Sequence, residues 1–149
     1  MTVYVALLRG VNVGAKNRLK MADLQSTLEA AGLGHVETYI QSGNLIFQSS
    51  QTEEALREKI EFEIKRGFGL TINVVLRSAE ELAQLIRNCP FTDEEIKETE
   101  KANTEGESVY VALLPRVPLK EKSEVLNRYV TPEDRYQIRN RDIYLLLRH

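Results

Sequence analysis

The hexapeptide Val-Tyr-Val-Ala-Leu-Leu occurs twice in this chain of 149 residues, at positions 3–8 and 109–114. Both copies are aliphatic, β-branched or aromatic throughout, which predicts a β-strand. Because side chains alternate along a strand, each copy presents apolar residues on both faces, and such strands are normally covered on both sides. We expect helices on one face of each copy. The partner on the other face is either the other half of the chain or a second subunit.

The pattern around the two copies predicts an internal repeat. The first half is predicted to contain strands at 2–8, 35–41, 44–49 and 70–76. It is also predicted to contain three helices. The first spans 21–31, the second begins after a capping box at Ser50–Glu53, and the third begins after a second capping box at Ser78–Glu81. The second half is predicted to contain a strand at 108–114, a helix at 118–129 and strands at 135–139 and 143–147. The fold class is therefore α+β, with a ferredoxin-like βαββαβ first half, a related βαββ second half, and antiparallel sheets packed with helices.

A strongly acidic segment separates the two predicted halves. Residues 93–107 contain seven acidic residues against two lysines and have little apolar content beyond Ile96. Such a composition is typical of a solvated connector, here with room for one helical turn. The predicted organisation is a ferredoxin-like half at 1–90, an acidic connector at 91–107 and an incomplete second half at 108–149.

Composition argues against several classes of protein. The formal net charge is only −2, so the chain as a whole has no general attraction for nucleic acid. The apolar runs are too short to cross a bilayer, and the N-terminus lacks the features of a signal peptide. The single cysteine, Cys89, permits no internal disulfide, and neither it nor His35 has a partner at metal-ligand spacing. We therefore predict a cytoplasmic protein with no membrane association, metal or cofactor.

The connection after the first copy of the hexapeptide is unusually long and basic. It runs from Arg9 to Lys20, whereas a plain strand-to-helix connection needs about two to six residues. Glycine and asparagine permit a positive φ, and the N-terminus of the next helix favours anions. The segment is therefore a candidate anion cradle, although a solvated surface loop explains the same residues. The candidate ligand-binding residues are Arg9, Gly10, Asn12, Gly14, Lys16, Arg18 and Lys20. The corresponding connection after the second copy has two prolines and no glycine.

A second group of polar residues lies at the predicted hairpin between the strands at 35–41 and 44–49. Its candidate binding residues are Tyr39, Gln41, Ser42 and Asn44. Ordinary turn chemistry accounts for serine, glycine and asparagine at such a position equally well. In the predicted strand order we expect this hairpin and the basic loop to lie at opposite ends of their strands, which argues against a single site.

Three functions remain open from the sequence. The first is a module that binds an anionic small molecule or a nucleic-acid phosphate through the basic loop. The second is an enzyme of unrecognised type, with Ser42 or Tyr39 reactive and Arg9 or Lys20 stabilising developing negative charge. The third is a self-associating interaction protein, a possible homodimer. Whether the chain is an enzyme is left undecided.

Two motifs resemble a known family. The stretches LLRGVNVGAKNRLKMADL and TYIQSGNLIFQS are similar to the bacterial family catalogued as domain of unknown function 1697, and the resemblance covers residues 3–90. It implies two related ferredoxin-like halves without an established activity, and a longer C-terminal part with a Ser-Lys-Leu stretch and an Arg-Asn-Trp segment that are lacking here. The family-pattern positions implied by the resemblance are Arg9, Gly10, Asn12, Gly14, Lys20, Met21, Tyr39, Ser42, Gly43 and Asn44.

Overall fold

The computed structural model describes residues 1–39, 42–103, 108–128, 131–132 and 134–148. The chain divides into two compact units, residues 1–84 and 85–149. Both consist of helices packed on an antiparallel sheet, so the predicted α+β class is confirmed. None of the helices within the described ranges combines the length and hydrophobicity that crossing a bilayer requires.

The first unit contains a four-stranded antiparallel sheet. Its elements are β1 (Thr2–Leu8), α1 (Met21–Ala30), β2 (Gly34–Tyr39), β3 (Asn44–Ser49), α2 (Glu53–Phe68) and β4 (Val74–Ser78), followed by α3 (Ala79–Arg87). The strands lie in the order β2-β3-β1-β4, and each adjacent pair is antiparallel. The central strand β1 is therefore paired along both of its edges.

The core of the first unit lies between one face of this sheet and the helices α1 and α2. Tyr4, Ala6 and Leu8 of β1 face this core, and the Tyr4 ring stacks on Phe47 with a centroid distance of 5.8 Å. The helices contribute residues spaced three or four apart, the interval that returns a side chain to the same helical face. They are Leu24 and Leu28 from α1 and Leu56, Ile60 and Ile64 from α2.

The structure corrects two predicted boundaries in the first unit. Helix α2 is capped by Thr52, whose hydroxyl accepts a hydrogen bond from the Ala55 N–H at 3.2 Å, and not by Ser50. Strand β4 begins at Val74 rather than at residue 70, because pairing with β1 begins opposite Leu8. The second predicted capping box is confirmed, since Ser78 and Glu81 exchange hydrogen bonds of 2.8 and 3.0 Å.

The second unit contains a three-stranded antiparallel sheet in the order β5-β7-β6. Its elements are α4 (Asp93–Ala102), β5 (Val109–Leu113), α5 (Lys120–Leu126), β6 (Arg135–Arg139) and β7 (Asp142–Leu146). Its core combines Phe91 with Tyr144 and Leu146 of β7, and Val109 and Val111 pack against them. Helix α5 is shorter than the helix predicted at 118–129, and its Val125 is 41% exposed.

The acidic segment contains a helix of ten residues where the structure describes it, longer than the single turn expected there. The Thr92 hydroxyl accepts from the Glu95 N–H, and the Glu95 carboxylate accepts from the Thr92 N–H, so α4 begins with a complete capping box. Ile96 packs against the core of the second unit, and the remaining carboxylates face solvent. Residues 104–107, the end of the predicted connector, lie outside the described residues.

The two copies of the hexapeptide are both strands, as predicted, but they bury opposite faces. In the first copy Tyr4 and Ala6 are buried, whereas Val3 on the other face is 37% exposed. In the second copy Tyr110 is 37% exposed, and Val109 and Val111 face the core. The valine face is covered in the second unit because α4 and the residues before it pack there. The neighbouring elements therefore determine which face is inside.

Candidate functional site

The basic loop and the hairpin meet at one end of the first sheet. Leu7 of β1 is paired with Asn44 of β3, and the Leu8 N–H donates to the Gly43 carbonyl at 2.9 Å. The expectation that the two segments lie at opposite ends is wrong, because antiparallel pairing places the end of β1 beside the start of β3. The Arg9 N–H extends the ladder on the other side, donating to the Asn73 carbonyl at 3.0 Å.

Gly43 allows this close approach between the hairpin and the loop. Its φ is +89°, and a Cβ atom built on it would lie 3.0 Å from the Leu8 carbonyl oxygen and 3.1 Å from the Leu8 Cβ. The Val11 Cβ atom, in the basic loop, would lie 3.4 Å from the Cβ atom built on Gly43. A residue with a side chain would therefore meet both an unfavourable backbone conformation and a steric conflict.

The basic loop is folded by its own hydrogen bonds. The Asn12 side-chain amide donates to the Leu19 carbonyl at 2.8 Å and accepts from the Leu19 N–H at 2.8 Å. The Asn17 amide donates to the Gly10 carbonyl at 3.2 Å, and both asparagines have a positive φ. Asn12, predicted as a ligand-binding residue, thus orders the loop through this amide. Gly10 and Gly14 have φ values of +74° and +60°.

The four predicted cations of the loop are all exposed. They are Arg9, Lys16, Arg18 and Lys20. Among the residues that the structure describes, none of the four forms an ion pair with a carboxylate. Arg18 and Lys20, with Asn12 and Leu19, line a shallow open depression of about 470 Å³. The loop therefore presents positive charge that no carboxylate of the described chain neutralises.

Tyr39 and Ser42 of the hairpin are exposed beside this loop, and Asn44 is partly exposed. Tyr39 is 63% exposed and is paired with Asn44 across β2 and β3. The Asn44 amide donates to the Ser42 hydroxyl at 3.0 Å. Gln41, the fourth predicted residue of this group, lies outside the described residues.

Two residues that anchor the loop were not predicted from the sequence. Val11 and Leu19 are 2% and 5% exposed and belong to the core of the first unit. Two apolar residues within an otherwise basic and polar segment were the available signal that this segment packs against the sheet. The Asn73 carbonyl accepts a hydrogen bond from the Arg9 N–H. Only the register of the strands brings Asn73 to this end of the sheet, so the local sequence held no signal for it.

The surroundings of Ser42 bear on the hypothesis that it is a reactive group. A nucleophilic serine needs a base within hydrogen-bond reach, and Ser42, exposed on the hairpin, has only the Asn44 amide as a side-chain partner in the described chain. No three His, Cys, Asp or Glu side chains in the described ranges are grouped to hold a metal ion.

Tyr144, in the core of the second unit, has a phenol whose pKa lies above its ordinary value. Burial, reinforced by Asp142, raises the pKa of its phenol, whereas Arg139 lowers it. The phenol donates to the Leu85 carbonyl at 2.6 Å. At neutral pH the group is therefore a protonated donor in the core of this unit.

The model of the family described as "Protein of unknown function (DUF1697)" matches residues 1–144. The chain belongs to this family. The resemblance of the two motifs is thereby confirmed, and the DUF1697 match extends from the first unit through most of the second.

A solved structure with the same fold supports this assignment to DUF1697. It is that of the conserved bacterial protein SP0830 from Streptococcus pneumoniae, with 25% sequence identity and a TM-score of 0.72. The match covers 98% of this chain and 77% of that chain. No curated protein matches the chain.

Replacing Asn12 with alanine should loosen the basic loop. The Leu19 N–H and carbonyl would lose their partners, and alanine would occupy a positive φ, so we expect the free energy of unfolding to fall by about 2–3 kcal/mol. Urea unfolding followed by circular dichroism measures this change. Asn17→Ala is the matched control, because Asn17 has a similar φ but one weaker, exposed hydrogen bond. Equal losses in the two variants would show that the Asn12–Leu19 pair does not order the loop.

Proposed function

We propose that this protein binds an anionic small molecule or a nucleic-acid phosphate at the end of the first sheet where the basic loop and the hairpin meet. The observation that carries the proposal is the hydrogen bond from the Leu8 N–H to the Gly43 carbonyl, which joins the two candidate segments into one surface. The proposed ligand-binding residues are the loop cations together with Tyr39, Ser42 and Asn44.

The electrostatics of the loop support this proposal. Four like charges within twelve residues, without a carboxylate partner in the described chain, raise one another's energy, and a bound anion relieves that repulsion. The loop ends at Lys20, the N-cap residue of α1, whose side chain makes no capping hydrogen bond. The positive end of the α1 dipole adds to the attraction for an anion.

The hydrogen bonds within the loop also support binding. A loop that is already ordered loses little conformational entropy when a ligand arrives, so more of the contact energy contributes to affinity. The exposed cations extend from a backbone that Asn12, Val11 and Leu19 attach to the unit.

We also infer that the two units are related copies, with a ferredoxin-like arrangement in the first and an incomplete one in the second. The shared hexapeptide and the corresponding strand orders, β2-β3-β1 and β6-β7-β5, support this relationship. The second copy continues as Pro115-Arg116-Val117-Pro118 without a long glycine-containing loop. The proposed binding function therefore belongs to the first copy alone.

A double replacement tests the proposed site. Phosphate should stabilise the wild-type protein by mass action, raising Tm by about 3–6 °C at ten times its dissociation constant. Added chloride should weaken the response, because exposed charges are screened over about 8 Å at physiological ionic strength. Arg9→Ala combined with Lys20→Ala should remove most of the response, as measured by thermal unfolding and by titration calorimetry.

The second copy offers a matched control for this experiment. Arg116 and Lys120 are exposed cations of the corresponding connection, so replacing both with alanine changes the net charge equally. This control variant should respond to phosphate as the wild type does. If both double variants lose the same response, general surface charge is being measured and the proposed site does not exist.

A further inference from the structure

An exposed aromatic ring lies on the sheet face opposite α1 and α2. Paired residues of adjacent strands point to the same face, and Tyr39, Asn44 and Leu7 are paired in succession across β2, β3 and β1. This is the face on which Val3 and Ile46 are 37% and 39% exposed. The Tyr39 ring, 63% exposed, is therefore available to a flat ligand from solvent.

Arg9 follows the end of β1, two strands away from this ring. It follows Leu7 by two residues, the interval at which side chains return to the same face of a strand, and its N–H continues the ladder with Asn73. Strands are spaced about 4.8 Å apart and residues rise about 3.3 Å along a strand, so the Cα atoms of Tyr39 and Arg9 are about 12 Å apart. An arginine side chain reaches several ångströms across that gap, which leaves a span suited to a ligand with a ring and an anionic group.

The polar groups between them suit the edge of a nucleobase. The side-chain amide of Asn44 donates one N–H to the Ser42 hydroxyl. The side-chain oxygen of the same amide, Oδ1, has no hydrogen bond to any described residue. Glu37, two residues before Tyr39 and paired with Ile46, is exposed on the same face and repels anions. This repulsion places an anionic group on the Arg9 side of Tyr39 rather than on the Glu37 side.

We propose that the ligand of this site is a nucleoside phosphate, whose base stacks on Tyr39 while its phosphate lies at Arg9 and the basic loop. This inference rests on the proposed function, because the phosphate occupies the proposed anion site. Base stacking on an aromatic side chain tolerates any base, and the Asn44 amide provides hydrogen bonds to the base edge.

Three small molecules separate the contributions of the base and the phosphate. AMP has both groups, ribose 5-phosphate has only the phosphate, and adenosine has only the base. We expect AMP to bind about 5- to 150-fold more tightly than ribose 5-phosphate, the range that one stacked base provides. Adenosine should bind more weakly than AMP. Titration calorimetry with the full-length protein measures all three affinities.

Variants of exposed aromatic residues test whether Tyr39 causes the difference in affinity between AMP and ribose 5-phosphate. Tyr39→Ala should abolish the preference for AMP over ribose 5-phosphate, and Tyr39→Phe should retain it because the ring remains. Phe62→Ala is the matched control, since Phe62 is 62% exposed on α2 of the same unit. The control variant should keep the full preference.

The possible failures are distinguishable. If AMP and ribose 5-phosphate bind equally, and both depend on Arg9 and Lys20, the nucleoside phosphate proposal is overturned and the anion site stands. A preference for AMP that survives Tyr39→Ala overturns it as well. If neither phosphate binds, both proposals fail.

Free nucleotides and single-stranded nucleic acid share the nucleoside phosphate chemistry. A six-nucleotide oligoadenylate that binds more tightly than AMP, with a steeper salt dependence, identifies the single strand as the source. Equal affinities identify the free nucleotide. Either result supports the proposal, provided that Tyr39→Ala weakens the binding of both ligands.

Discussion

Gly43→Ala should reduce the free energy of unfolding by about 2–4 kcal/mol, because it combines a backbone cost of about 1–2 kcal/mol with overpacking. The backbone cost arises from the φ of +89°, and the overpacking from a Cβ atom 3.0 Å from the Leu8 carbonyl oxygen. That oxygen belongs to a strand paired on both sides, so it cannot move away without breaking the ladder. Urea unfolding followed by far-UV circular dichroism is the suitable measurement, since the chain has no tryptophan.

Gly14→Ala isolates the backbone part of this effect. Gly14 also has a positive φ, +60°, but nothing lies within 4 Å of a Cβ atom built on it. We expect a loss of only about 1–2 kcal/mol in this variant. A Gly43→Ala variant no less stable than Gly14→Ala would contradict the close approach of the hairpin to the end of β1.

Phe47→Ala should be the most destabilising of the replacements considered, at about 3–5 kcal/mol. The Phe47 side chain is fully buried, at 0% exposure, and stacks on Tyr4 in the core of the first unit. Its removal leaves a cavity between the sheet and the helices. Because the whole stability of a domain is about 5–15 kcal/mol, the variant should unfold at a much lower denaturant concentration.

Phe62→Ala is the comparison for this second replacement. The same chemical change is made on α2 at a side chain that is 62% exposed, so we expect a loss below about 1 kcal/mol. Similar losses in the two phenylalanine variants would mean that the first unit is not packed around Phe47.

Apolar periodicity predicted the elements that bury a continuous stripe or face. The apolar residues Leu56, Ile60 and Ile64 have the helical spacing that α2 shows, and the strand predicted at 2–8 coincides with β1. Helix α4 was missed because it packs through Ile96 and few other apolar residues, so its sequence has the composition of a solvated connector. Its N-terminal signal, Thr92 followed by Glu95, was present but was not supported by any apolar repeat.

The residues of the proposed site were chosen from the sequence, but their geometry could not be. The cations and the hairpin residues were identified from composition, yet their proximity follows from the register of β1 on β3, a long-range pairing that local patterns do not contain. The role of Asn12 was missed for a related reason. An asparagine beside glycines suits ligand binding and loop folding equally, and only the hydrogen bonds to Leu19 distinguish the two.

Because the two hexapeptides bury opposite faces, the same residue types are constrained differently in the two units. A strand that is apolar on both sides does not itself specify which side is the interior, so the same six residues can be accommodated in two different surroundings. The space around each residue then differs between the two hexapeptides. Ala6 is fully buried, whereas Ala112, at the same position of the second hexapeptide, is only partly buried. The same six residues are therefore expected to tolerate different substitutions in the two units, because the elements packed beside each strand decide which positions are enclosed.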